Sequence, residues 1–164
     1  DKLLRNISEE GARMNTLLGR LRELTRMKTL AVGAPGHLSE MIPEIPDLEV
    51  QIDGDLDAKV PLTVEHGRII LLHMAQNARA HNASILHVTW DGQILTLTDN
   101  GDGIEAADAP HVTEPFFTTR RENGGTGMGL AICETLLEGY GARLRVQPND
   151  DGAVFQIVFD KRSE

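Results

Sequence analysis

The chain has 164 residues, 40% of them hydrophobic but only 4% aromatic, enough for one domain whose core is built from Leu, Ile, Val, Met and Ala. Its formal net charge of -9 argues against generic binding to nucleic-acid backbones and otherwise favours solubility without naming a partner. The single cysteine, Cys133, rules out an internal disulfide and fits a reducing compartment.

No apolar run approaches the ~20 residues needed to span a bilayer, and no signal peptide opens the chain. Any membrane part of a parent protein is expected to lie outside this sequence, which starts in mid-pattern at Asp1. Residues 1–30 read as one long amphipathic helix. Leu3, Ile7, Met14, Leu17, Leu21 and Leu24 form a heptad seam broken once at Glu10, and charged residues fill the other faces. Such a helix packs either against another helix, in a dimer, or onto the domain that follows. Residues 31–47 (AVGAPGHLSEMIPEIPD) read as a linker, because their Gly and Pro residues interrupt helix and strand alike.

From Leu48 the pattern is mixed. Residues 48–52 alternate like a strand, and a short strand near Lys59–Leu62 follows. Thr63 caps a helix that runs to about His81, with Glu65 in its first turn. Ile85–Trp90 and Gln93–Thr98 are strands joined at Asp91-Gly92, a strong hairpin signal. Residues 99–127 look like loop, Met128–Glu138 like a helix ended by Gly139 or Gly141, and Arg143–Gln147 and Ala153–Phe159 like a closing hairpin. Cys133 falls in an apolar helix and reads as a small buried hydrophobe. The fold class is an α/β two-layer sandwich: a mixed sheet of five to six strands with helices on one face, preceded by the long helix.

Three segments carry chemistry. Asp99-Asn100-Gly101-Asp102-Gly103-Ile104 follows an apolar strand, so its glycines let the backbone approach a ligand and Asp99 can accept a hydrogen bond from an amine. An EF-hand reading fails, since no Glu stands at the twelfth position and no helix precedes. Gly124-Gly125-Thr126-Gly127-Met128-Gly129-Leu130 opens a helix, where glycine-rich backbone amides make an anion site. It is neither a Walker A loop, lacking the Lys-Ser or Lys-Thr, nor a dinucleotide fingerprint, lacking a strand just before it. Asn77 stands mid-helix beside Ala75 and Ala78, either at the surface or facing a ligand; its amide oxygen suits Mg²⁺.

Together with Pro115-Phe116-Phe117-Thr118-Thr119, these segments in this order resemble the GHKL ATPase family, and within it the catalytic domain of sensor histidine kinases. The N box lies around Asn77, the G1 box is DNGDGI, the F box is PFFTT and the G2 box is GTGMGL. The resemblance covers about residues 48–160, including the closing pattern Asp151, Gly152, Phe155 and Ile157. The N-terminal helix resembles the second helix of that family's dimerisation and phosphotransfer hairpin. The resemblance implies the Bergerat ATP-binding fold, ATP and Mg²⁺ as cofactors, a response regulator as partner, dimerisation through the N-terminal helix in the parent, and a cytoplasmic location.

Residue by residue, it implies that Asp99 binds the adenine amine in a pocket shaped by Gly101 and Gly103. Asn77 holds Mg²⁺ bridging the phosphates, and His81 stands near the nucleotide. Thr119, in the F box, is among the nucleotide-binding residues. Gly125, Thr126, Gly127, Met128, Gly129 and Leu130 hinge the lid and present amides to the phosphates. Residues 105–124 form the ATP lid. Within it Phe116 and Phe117 are docking anchors or ordinary core, and Arg120 or Arg121 meets the γ-phosphate or is simply solvated.

Two departures from the family pattern bear on the site. His73 stands where a first Asn is common; one helical turn puts it on the face of Asn77, where it serves the site or the structure. Ala80 stands where a Lys or Arg is common, with Arg79 before it, which puts one phosphate contact in doubt. None of His37, His66, His73, His81, His87 and His111 has the phosphoacceptor's context, so the acceptor is expected on a helix upstream of Asp1. The expected function is transfer of the ATP γ-phosphoryl to that histidine and thence to a response regulator. The alternatives are a nucleotide-binding pseudokinase and a serine kinase of the anti-sigma-factor type.

Overall fold

The computed structural model of the chain describes Thr16, Gly19, residues 33–149 and residues 151–160. The chain divides after Leu30. The helix expected over residues 1–30 lies outside the described residues, except that Thr16 and Gly19 are helical. In the second unit the order is β1 (Gly36–His37), β2 (Glu49–Asp53), β3 (Lys59–Val60), α1 (Val64–Ala80), β4 (Ile85–Trp90), β5 (Ile94–Asp99), α2 (Gly129–Glu138), β6 (Ala142–Gln147) and β7 (Val154–Phe159). Short 3-10 turns lie at Leu38–Glu40 and Arg121–Asn123.

Five strands form one mixed sheet in the order β2-β4-β5-β7-β6. β2 and β4 are parallel, as a connection through α1 allows; the other neighbours are antiparallel hairpins or returns. Alternation sets the faces. Leu86 and Val88 on β4, Leu95 and Leu97 on β5, and Phe155, Ile157 and Phe159 on β7 are buried, and the residues between them face away. α1 meets this layer with Ile70, Leu71, Met74, Ala75 and Ala78, and α2 with Ala131, Ile132, Cys133, Leu136 and Leu137. Both sets are spaced for one helical face, and α2 packs on α1 and on β6. This is the expected two-layer sandwich with helices on one face. Cys133 is fully buried, its thiol against the Ile70 carbonyl oxygen, and burial pushes its pKa far up.

Local chemistry fixes the ends of α1. Thr63 Oγ1 accepts the His66 N–H at 3.2 Å, the expected N-cap. At the other end Asn82 takes a left-handed φ of 64°, Ala83 N–H reaches the Ala78 carbonyl and Asn82 N–H the Arg79 carbonyl. That is a Schellman closure with Asn in the glycine place.

Two expectations change. The strand near Lys59 is two residues long and pairs with β1, Gly36 opposite Val60, outside the main sheet. The stretch read as a linker contributes to the core over its described residues. Leu38 and Met41 are buried, Leu38 N–H donates to Ala58 O at 3.0 Å, and Arg68 Nε donates to Glu40 O at 2.7 Å. Gly and Pro cut long elements here, but they do not prevent two apolar side chains from finding cover. The Met41 side chain fills space that a Cβ on Gly36 or Gly67 would occupy.

Candidate functional site

Asp99 is the last residue of β5, one place beyond the strand end expected from the sequence. Its side chain therefore continues the inward face of Leu95 and Leu97, and the residue is 5% exposed. Oδ1 accepts the N–H of Gly101 at 2.9 Å and of Ala153 at 3.1 Å. Both recorded bonds go to that one oxygen, so among the described residues Oδ2 keeps its lone pairs for a donor brought from outside.

Sequence reasoning missed what holds Asp99. Gly152, at φ 91°, lies against the Asp99 backbone, and a Cβ there would run into the Asp99 carbonyl. The Asp151-Gly152 pair was legible as a hairpin signature, but its place behind Asp99 follows only from the β5–β7 register, Thr98 opposite Val154. Asn100 was also missed: its Oδ1 accepts the N–H of Ser84 and Ile85, both at 2.9 Å, and so ties the loop to the start of β4.

The turn after Asp99 rests on the end of α1. Asp102 N–H donates to His81 O at 2.9 Å, and Asn82 Nδ2 donates to Asp102 Oδ2 at 2.8 Å. Gly103 takes φ 81°, and Gly101 packs on the His81 backbone. His81 is half-buried. Burial first, then the Arg120 guanidinium, lowers its pKa from the ordinary 6.5, against the opposing pull of Asp102 and Asp99. Asp99, Asp102, His81 and Arg120 thus share one electrostatic neighbourhood.

The second wall is the start of α2. Its N-cap residue, Met128, offers no side-chain cap, and its first turn holds no acid. The amides that open a helix suit an anion. Met128 is fully buried, backbone included, which sets it apart from the half-buried glycines on either side of it. Gly127, at φ 68°, touches the backbone of Phe116 and Phe117, where no Cβ would fit. Gly129 stands beside the His73 imidazole: a Cβ there would make ordinary van der Waals contact with Nδ1 at 3.4 Å. The half-buried Asn77 follows His73 by one turn on α1. Thr126 and Leu130 are half-buried at the same helix start.

The loop over residues 105–124 is stitched to this wall. Phe116 N–H donates to Gly127 O at 2.9 Å and Gly125 N–H to Arg120 O at 3.0 Å. Thr118, not Thr119, does the structural work: its Oγ1 accepts the Arg120 N–H at 3.1 Å, while Thr119 is exposed. Phe116 is 39% exposed and holds φ 69°, a left-handed conformation costly for an aromatic residue. Phe117 lies beside the His111 ring at 5.9 Å.

Two groups of candidate residues result: Asp99, Gly101 and Asp102 lie against His81 at the end of α1, with Arg120 in electrostatic reach of His81, and Gly129 at the start of α2 lies beside His73 of α1, one turn before Asn77. Among the described residues no three His, Cys, Asp or Glu side chains converge as a metal cage. A divalent cation would take Asn77 Oδ1 as its protein ligand and the oxygens of a bound anion as most of the others, an arrangement that suits Mg²⁺.

Residues 63–163 match the family model described as histidine kinase-, DNA gyrase B-, and HSP90-like ATPase. A putative sensor protein of Shewanella frigidimarina is 34% identical over 96 residues, 56% of this chain and 15% of that one. The tetrathionate sensor histidine kinase TtrS of Salmonella typhimurium is 38% identical over 92 residues, 54% of this chain and 15% of that one. The chain therefore spans a small part of these curated relatives. The solved Acinetobacter baumannii histidine kinase AdeS shares the fold, with a TM-score of 0.66 over 99% of this chain and 86% of that one at 16% identity.

Proposed function

The chain belongs to the family of histidine kinase-, DNA gyrase B- and HSP90-like ATPases, and from that premise we propose that its site binds ATP with Mg²⁺ and passes the γ-phosphoryl to a histidine on a separate helix of a two-component sensor kinase. A response regulator aspartate receives it next. ATP and that regulator put this domain in the cytoplasm, and no helix of the described residues is long and apolar enough to cross a membrane.

One observation carries the reading: a buried carboxylate is held through one oxygen by two backbone N–H groups, and α1 links its surroundings at His81 to the start of α2 at His73, where the N-cap residue Met128 makes no side-chain cap bond. Asp99 Oδ2 accepts from the exocyclic amine of adenine. The amides at the start of α2 meet the phosphates. Asn77 supplies an oxygen to Mg²⁺, which neutralises phosphate charge when bound. Phosphoryl transfer needs positioning and charge neutralisation more than covalent help, and a site with few titratable groups provides that. His73, packed on Gly129, approaches the phosphates from α1. In this reading the heptad pattern of residues 1–30 belongs to the second helix of the dimerisation hairpin.

Asp99→Asn keeps an acceptor for Gly101 and Ala153 but puts a donor where the amine must donate. It should abolish ATP binding measurable by calorimetry while the urea midpoint of unfolding holds; unchanged affinity would sink the adenine assignment. Mixing the chain with a separately expressed acceptor hairpin and labelled ATP separates kinase from pseudokinase: phosphohistidine on the hairpin supports the first, and bound ATP without transfer the second.

A further inference from the structure

The turn over residues 99–103 is held at both ends, and unequally. At its start Asn100 Oδ1 accepts two backbone N–H groups, and Gly152 stands behind Asp99. At its far end it rests on the residues that close α1. One backbone bond joins them there, Asp102 N–H to His81 O at 2.9 Å, and one side-chain bond, Asn82 Nδ2 to Asp102 Oδ2 at 2.8 Å. Gly101 lies in the seam: a Cβ on it would run into the His81 carbonyl oxygen and crowd Ala83 N and Asp99 Oδ1, both at 3.1 Å. The same residue donates its N–H to Asp99 Oδ1. A turn that lifts off α1 therefore carries away one of the two groups that orient the carboxylate.

The closure of α1 does not need the Asn82 side chain. Its φ of 64° is the left-handed conformation that glycine takes at least cost, and the two closing bonds, Asn82 N–H to Arg79 O and Ala83 N–H to Ala78 O, use backbone only. The side-chain amide goes to the turn instead. Among the described residues no cation forms an ion pair with Asp102, and Asn82 is the side chain that donates to its carboxylate. Both side chains are exposed, so water competes for the bond and its net contribution is that of a single surface contact.

We propose that Asn82 is a positioning residue for the base-binding carboxylate: its amide holds the turn over residues 99–103 down on the end of α1, and the affinity for adenine nucleotides depends on that hold. This rests on the reading of Asp99 as the group that receives the adenine amine. With the amide in place, Gly101 N–H is fixed on Oδ1 before the nucleotide arrives. Without it the turn keeps one bond to α1, and binding must supply the ordering that the free chain lacks. The effect belongs to the base end of the ligand, so it does not distinguish ATP from ADP. It also separates affinity from stability, because glycine in this place closes α1 at least as well.

The test is calorimetric titration of the full chain and its variants with ATP and with ADP in Mg²⁺, alongside urea unfolding and hydrogen exchange of the Asp102 amide by NMR. Asn82→Gly should weaken ATP and ADP alike by roughly three- to tenfold, the net effect of one hydrogen bond to a charged group. The urea midpoint should hold or rise, and the Asp102 amide should exchange faster in the nucleotide-free chain. In an Asp102→Ala background, Asn82→Gly should change neither affinity; in an Asp102→Asn background, which keeps the acceptor, the loss should return. Three results overturn the proposal while leaving the nucleotide site intact: an ATP affinity that Asn82→Gly does not change, a loss that persists undiminished with Asp102→Ala, or a loss matched by a fall in the urea midpoint. Failure of the unaltered chain to bind either nucleotide is a different outcome: it overturns the reading of the site and the proposal with it.

Discussion

At the scale of residues, the site depends on groups whose environment sets their chemistry. Asp99 is the clearest case: two backbone N–H groups hold one oxygen of a buried carboxylate, which orients it. His81 is the pH-sensitive member. Its folded pKa lies below 6.5 because burial and Arg120 disfavour the imidazolium. As pH falls through 6.5 the unfolded chain takes up this proton before the folded one, so stability tied to His81 is present above that value and is lost below it. His81→Asn should therefore lose less stability than the unaltered chain on going from about pH 7.5 to about pH 5.5, measured by urea unfolding. Identical losses would show that His81 carries none of the effect. Of these residues the sequence made Asp99 legible as a carboxylate at a strand end. It did not show the Ala153 N–H, Gly152 or Asn100, because each acts across the chain through sheet register rather than through local pattern.

At the scale of elements, periodicity read the strands and helices to within a residue or so because apolar alternation is strong in β4, β5 and β7 and the cap residues of α1 are ordinary ones. The one-residue difference at β5 matters more than its size. It carries Asp99 into the sheet and turns its side chain inward. The hairpin after β4 shifts for a reason the sequence also contains. Asp91 Oδ1 accepts the N–H groups of both Gln93 and Ile94, so Gln93 joins the turn and the strand starts at Ile94. The loop between β5 and α2 was legible only as loop, since its shape comes from Gly127 and Arg121 acting on the Phe116 backbone. Gly127→Ala should break that shape, because its φ is 68° and its Cβ would strike Phe116 and Phe117. The expected outcome is an ATP affinity reduced by more than about tenfold with a urea midpoint near that of the unaltered chain. Retained affinity would mean that the loop's fold is irrelevant to binding.

At the scale of the whole molecule, the second unit begins earlier than the motifs do. The family match starts at residue 63, yet Leu38 and Met41 are already in the core, and Arg68 on α1 reaches back to Glu40. A stretch with this much Gly and Pro reads as linker because each of its elements is too short to show a period; its burial is a tertiary fact. The family pattern, in contrast, was readable from four short motifs. In the proposed reading they are the backbone and side-chain pieces that surround a nucleotide. The central proposal is that Asp99 and the start of α2 belong to one site that binds ATP with Mg²⁺. Calorimetric titration of the chain with ATP, with and without Mg²⁺, tests it most directly. The account predicts one site with an affinity in roughly the micromolar range that weakens when the metal is withheld. No heat of binding at millimolar ATP, in either condition, would contradict it.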